Sequence, residues 1–129
     1  MEFLIVIMAS NLSNSGPTPY LLRAYWEWME DADLTPHILV NVNHNSVQLP
    51  KPYSEQDKVL LNISSSATSA LVLSNEYVKF KARFDGKSHD VYLPIEAIES
   101  IYAIENGIGM MFNHPEKTKK KEDHLRIVD

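Results

Sequence analysis

No cysteine occurs in the 129-residue chain. That excludes a disulfide scaffold, a cysteine nucleophile and any thiolate metal site. Glycine is scarce: Gly16, Gly86, Gly107 and Gly109 are all there is, and neither a GxGxxG turn nor a phosphate loop can be assembled from them. His37, His44, His89, His114 and His124 are scattered, with no HExxH and no close pair. The acidic residues form no DxDxDG run, and Ser64-Ser65-Ser66 sits in no GxSxG elbow. The sequence therefore predicts no catalytic residue, no metal and no cofactor, and reads as a non-enzyme. Basic side chains are in the minority, 12 against 17 acidic, for a net charge of -5. Nucleic acid is thus a poor default partner. The apolar run 3–8 is too short to span a bilayer. It follows Glu2 rather than the positive charge of a signal peptide. Met8 reads as an alternative initiator, and a cytoplasmic location follows as the default.

What is present is an ordinary globular composition, 44% apolar and 22% charged, on a length suited to one domain. Residues 1–16 read as a flexible or mis-assigned lead-in and 17–112 as the folded body. Residues 113–123 (NHPEKTKKKED) carry no large apolar side chain and read as a flexible linker. Residues 124–129 close with the apolar cluster Leu125, Ile127 and Val128. Read alone, that cluster is either a last strand docked on the body or a short peptide held out for a partner. Residues 1–112 hold 13 acidic and 7 basic residues; Lys117, Lys119, Lys120, Lys121 and Arg126 all lie beyond them.

Thr18-Pro19 suits a helix start, with Thr18 as N-cap, and the helix should cover 19–33. Leu21, Leu22, Tyr25, Trp26 and Met29 recur at helical spacing. Arg23 and Glu27 are spaced for an i,i+4 ion pair. Tyr20 and Trp28 widen the apolar girdle beyond one face, as a helix would need if it packed on a sheet and on a second copy of the chain. After Pro36 the period changes, and strands are predicted over 37–42, 46–49, 58–63, 70–73, 77–84, 89–93, 100–104 and 109–112. Asp85-Gly86 is the clearest hairpin turn, and 94–99 makes a helical turn or connector. One helix followed by many short antiparallel strands predicts a mainly β fold, a small SH3/Sm-like barrel or an open sandwich.

The most informative stretch is Tyr77-Val-Lys-Phe-Lys-Ala-Arg-Phe84. Val78, Phe80, Ala82 and Phe84 share one face; Lys79, Lys81 and Arg83 share the other. The positive strip is either a solvated sheet face or a receiver for an acidic extended peptide, with Ala82 shaping a pocket between Phe80 and Phe84. An RNA-binding sheet is a further reading, opposed by the acidic body and by the lack of an RNP-like aromatic spacing.

Pro19-Tyr-Leu-Leu-Arg-Ala-Tyr-Trp-Glu-Trp28 and Leu34-Thr-Pro-His37 resemble the opening of the stringent starvation protein B (SspB) family. The resemblance continues through Val59-Leu-Leu-Asn-Ile63, Val78 to Phe84, Leu93-Pro94, and Ile101-Tyr-Ala-Ile-Glu-Asn-Gly107 with Met111-Phe112. It implies a small SH3/Sm-like barrel whose N-terminal helix pairs two copies, here through Tyr20, Leu21, Ala24 and Trp28. It implies a specificity-enhancing adaptor of the ClpXP protease that binds the ssrA tag of products of stalled ribosomes. The tag groove carried over comprises Leu61, Asn62, Ile63, Phe80, Lys81, Ala82, Arg83, Phe84, Ala103 and Asn106. The family's closing peptide, which docks on the ClpX N-terminal domain, corresponds to Leu125, Arg126, Ile127 and Val128.

Two departures stand out. Ile104 replaces an arginine usual before Glu-Asn-Gly, which removes a positive contact. The linker is short and lysine-containing where family members often have a long acidic one. The resemblance implies tethering: two weak sites on one adaptor raise the local concentration of tagged substrate at the unfoldase without new chemistry. The alternative on the residues alone is an RNA- or ribosome-associated small-barrel protein.

Overall fold

A computed structural model describes residues 16–114. The lead-in up to residue 15, the linker from 115 and the closing peptide Leu125, Arg126, Ile127 and Val128 lie outside the described residues. Helix α1 (Thr18–Asp31) is followed by β1 (Pro36–Asn41), β2 (Lys58–Asn62), β3 (Ser69–Leu73), β4 (Tyr77–Phe84), β5 (Lys87–Pro94), β6 (Ile98–Ala103) and β7 (Gly109–Met111). The strands form two antiparallel sheets, β2-β1-β6-β7 and β3-β4-β5. Of the two architectures the sequence allowed, this is the open sandwich; the sheets do not close into a barrel.

The helix starts one residue earlier than predicted. Pro17 is the N-cap, its carbonyl accepting from Tyr20 and Leu21, while Thr18 is buried and its hydroxyl caps nothing. The helix also stops short of Pro36. Asp33 takes a positive φ of 60, and the amides of Asp33 and Leu34 donate to the carbonyls of Glu30 and Met29. That is a Schellman closure with Asp in the place usual for glycine, and Leu34 packs on the core as the motif requires. Leu22 and Met29 are fully buried, and Tyr25 and Trp26 pack beside them.

Alternation does most of the work in the strands. Ile38 and Val40 of β1, Val59 and Leu61 of β2, Val78 and Phe80 of β4, and Val91 and Leu93 of β5 all face the core. Ile98 and Ile101 of β6 are both buried although an odd spacing should place them on opposite faces. A bulge resolves this: Leu39 pairs with Ser100 but Val40 pairs with Ile98, so Glu99 is the extra residue. A second bulge lies in β3, where Ser69 faces Lys81 and Val72 faces Lys79, with Ala70 at a φ of 55. Asp85 and Gly86 both have positive φ, as a two-residue type I′ turn demands, so the hairpin reading holds.

The strand predicted over 46–49 is reduced to a single bridge. Gln48 and Tyr92 exchange amide-to-carbonyl bonds, and then Pro50 ends the pairing. The segment 94–99 is a short 3-10 turn, Ile95–Ala97.

Gly109 is required by space, not by φ. A Cβ there would run into the Ile101 carbonyl and lie 2.6 Å from Tyr102 Cβ. Gly109→Ala is expected to lower stability by about 1–3 kcal/mol through overpacking of the β6–β7 pair. Urea unfolding, read as a lower midpoint at unchanged slope, checks this.

Candidate functional site

The β4–β5 ladder sets which backbone groups are available. Ile95 donates to the Glu76 carbonyl, and in an antiparallel pair the bonded rows alternate. Val78, Phe80, Ala82 and Phe84 therefore turn their backbone towards β5, and Lys79, Lys81 and Arg83 turn theirs towards β3. Lys79 and Lys81 meet Val72 and Ser69 there, but β3 ends at Ser69. The N–H and C=O of Arg83 are left facing outward from the sheet edge, without a strand partner among the described residues.

Beside that edge lies a hollow of about 300 Å³, lined by Ser66, Ala67, Thr68, Ser69, Lys81, Ala82, Arg83 and Ser88. Its wall is the 64–69 loop, held by a dense set of bonds. Ser64 N–H donates to Asn62 Oδ1, Ala67 N–H and Thr68 Oγ1 donate to the Ser64 carbonyl, and the Ser64 and Ser66 hydroxyls meet at 3.2 Å. The helix grips the same loop: Glu30 accepts from Ser65 N–H at 2.9 Å and from Ser65 Oγ at 2.6 Å. Trp26 Nε1 donates to the Ile63 carbonyl at 2.8 Å.

Around the rim, charge is only partly neutralised. Lys81 Nζ lies 3.4 Å from Asp90, an exposed pair of little energetic weight. Arg83 donates to the Gly86 carbonyl at 2.8 Å, which props its guanidinium along the turn. Lys79 lies over the Tyr77 ring, 5.8 Å from its centroid. Arg23 does not pair with Glu27 as its spacing predicted. It reaches instead to the Leu73 carbonyl and Asn75 Oδ1, where two fixed acceptors replace one exposed carboxylate.

The predicted groove residues fall in five different settings. Lys81, Ala82 and Arg83 line the hollow. Phe84 packs on Tyr53 and His89 at the inner side of the same strand end. Leu61, Ile63, Phe80 and Ala103 are buried in the core; their apolar side chains fill the space between the sheets, and none of them lines the hollow. Asn62 acts beneath the loop as its anchor. Asn106 is apart from the hollow. It lies in the β6–β7 turn, where it accepts from Ile108 N–H, and β1 and β6 separate that turn from β2. Next to it Glu105 takes bonds from the Thr35 hydroxyl and amide, and these hold its carboxyl below the usual glutamate range.

Along α1, Tyr20, Ala24 and Trp28 fall on one exposed stripe four residues apart, and Leu21 is half-buried beside it. Sequence reasoning missed Glu30, Ser66, Thr68, Ser69 and Ser88. The serine- and threonine-rich loop was the visible signal, but nothing local says that a helix carboxylate reaches it.

Among the described residues no group of histidine, aspartate and glutamate is arranged to hold a metal ion, and no helix is long and apolar enough to cross a membrane. Residues 17–127 match the family model described as Stringent starvation protein B. The chain belongs to the stringent starvation protein B family. A relative from Haemophilus influenzae, described as Stringent starvation protein B homolog, is 37% identical over 146 residues, covering 90% of this chain and 97% of that protein. The SspB match takes in α1 and all seven strands, so the hollow and the exposed helix stripe lie within it.

Because Glu30 is the tie between helix and loop, Glu30→Ala is expected to free the loop while leaving the core intact. The Ser65 amide should exchange about tenfold faster, with a global loss of about 1–2 kcal/mol. Amide exchange by NMR alongside thermal unfolding checks both parts.

Proposed function

We propose that this SspB-family protein is an adaptor. It binds ssrA-tagged polypeptides from stalled ribosomes and tethers them to the ClpX unfoldase, enhancing degradation by ClpXP. The observation that carries the reading is the open β4 edge at Arg83 beside a positively rimmed hollow. An extended peptide adds to such an edge through its main chain, and the small Ala82 leaves room for a side chain. An acidic, polar tag suits the Lys81 and Arg83 rim. Main-chain pairing at a short edge gives modest affinity, which an adaptor needs in order to release its cargo.

Two further parts complete the proposal. The Tyr20, Ala24 and Trp28 stripe joins two copies, because two exposed aromatics eight residues apart with a small alanine between them form one apolar face suited to a symmetric helix pair. Leu125, Arg126, Ile127 and Val128 dock on the ClpX N-terminal domain. A dimer then offers two tethers, and linkage raises the effective substrate concentration at the unfoldase.

Titration with a fluorescent ssrA-tag peptide, followed by anisotropy, tests the groove. Saturable binding competed by unlabelled tag and not by a scrambled peptide is expected. Ala82→Trp should weaken it at least about tenfold while the protein stays folded, since the added ring occupies the hollow. Deleting 125–129 should leave tag binding intact and reduce the stimulation of ClpXP. Equal binding by the scrambled peptide would overturn the groove, and unchanged stimulation would overturn the tether.

The helix pairing has its own readout. Trp28→Asp, at a position 41% exposed, is expected to shift the sedimentation coefficient from dimer to monomer without unfolding the body. A dimer of undiminished stability would refute this interface.

A further inference from the structure

The hollow at the end of β4 has a lining of one chemical kind. Ser66, Thr68, Ser69 and Ser88 bring hydroxyls, Lys81 and Arg83 bring positive charge, and no carboxylate lines it. The described residues carry 12 acidic against 7 basic side chains, so this lining reverses the balance of the body.

Strand register puts the chemistry on one face. Ser69 stands directly opposite Lys81 across β3 and β4, and Ser88 directly opposite Arg83 across β4 and β5. Such partners share a sheet face, with Cβ atoms about 5 Å apart. Lys81 and Arg83 are two residues apart, so they share that face too, about 7 Å from each other along the strand. Two cation–serine couples therefore sit side by side, and Ser66 and Thr68 of the 64–69 loop complete the hollow beside them.

Much of this donor capacity is unspent. Arg83 Nη1 donates to the Gly86 carbonyl, which leaves its Nε and Nη2 groups without an acceptor among the described residues. Its backbone N–H faces outward from the sheet edge. Lys81 Nζ lies 3.4 Å from Asp90 in an exposed pair, and an ammonium has three donors to place. The Ser69 and Ser88 hydroxyls have no partner among the described residues. Nearby acid is engaged elsewhere: Glu30 is taken up by the Ser65 amide and hydroxyl, and neither Asp85 nor Asp90 lines the hollow.

We propose that this hollow binds a phosphoryl oxyanion, as inorganic phosphate or as the phosphate of a small phosphomonoester. Donors converge on it from the loop, from β4 and from β5. A tetrahedral dianion offers oxygens to all three sides at once, whereas a planar carboxylate has only two to offer. The Arg83 fork suits two phosphate oxygens, Lys81 adds a point charge, and the serine hydroxyls donate to what remains. The volume of about 300 Å³ equals roughly ten water molecules, so a phosphate enters with room left for a small organic group.

The binding itself does not depend on the adaptor reading. One consequence does rest on it: phosphate would occupy Lys81 and Arg83, the cations assigned to the acidic tag, so phosphate and cargo exclude each other.

The test is a titration of the full-length, isotopically labelled protein with inorganic phosphate at constant ionic strength, followed by NMR. Saturable shifts of the Ser66, Thr68, Arg83 and Ser88 amides are expected, with a midpoint on the order of millimolar. Arg83→Gln, at an exposed position, should raise that midpoint at least about tenfold by removing a charge-assisted pair. Lys58→Gln removes the same charge from the larger sheet and should leave the midpoint unchanged. Glycerol phosphate, titrated separately, identifies the source: a lower midpoint than that of inorganic phosphate assigns the site to a phosphomonoester, and a higher one to the free anion. Acetate saturating the same amides at the same midpoint would overturn the proposal. So would shifts that stay linear, or an equal response to Lys58→Gln, since both are signs of general charge screening. Failure of phosphate to saturate while the tag peptide binds counts against this site alone. Saturation by phosphate without any tag binding counts against the adaptor reading alone.

Discussion

The helix is the constraint from which the rest follows, because each of its faces is committed to a different task. Leu22 and Met29 close the core between the sheets, and burial of each is worth about 1.5–3 kcal/mol. Arg23, Trp26 and Glu30 reach across to Leu73, Ile63 and Ser65; Ile63 and Ser65 lie in the stretch that carries the chain from the larger sheet to the smaller one, and Leu73 ends β3. Tyr20, Ala24 and Trp28 remain outside. A rotation of the helix by one residue would move an apolar side chain off the core and break every one of these crossings at once.

Those crossings also explain why a loop can serve as the wall of the hollow. A serine-rich stretch is free to adopt many conformations, and fixing it costs roughly 1–2 kcal/mol per residue in backbone entropy. Here the 64–69 loop is tied at its base by Asn62, internally by Ser64, and at its apex by Glu30. The hollow is therefore shaped by the chain's own bonds, and under the proposed function a peptide that entered it would need to order only itself.

Open edges set this sandwich apart from a closed barrel. Closure would have satisfied every backbone group within the ladder. Instead β4 runs past the end of β3 at Arg83, and β7 leaves Gly109 and Met111 outward. Such edges invite pairing with other chains, and three residues of this sheet system manage that risk in part. Gln48 covers the outer edge of β5 at Tyr92, and Lys81 and Arg83 place charge beside the edge of β4.

Much of this was legible in the sequence. The alternation of Val78, Phe80, Ala82 and Phe84 with Lys79, Lys81 and Arg83 gave β4 its faces, and Asp85-Gly86 gave the turn, because both signals act over a few residues. Helix existence was equally local. Which candidate groove residues face a ligand was not, since Leu61, Ile63, Phe80 and Ala103 differ from Ala82 only in depth, and depth depends on what packs opposite. The Arg23–Glu27 pairing failed for the same reason: a spacing rule cannot see two carbonyl-type acceptors fifty residues away. The Glu99 bulge arises from register between distant strands, and the reach of Glu30 to Ser65 from the way the helix packs against the chain between β2 and β3. Sequence by itself determined the elements and their apolar faces, through periodicity and turn chemistry. Tertiary structure alone decided which edges stayed open and which side chains met, because those depend on pairings between residues that no local pattern connects.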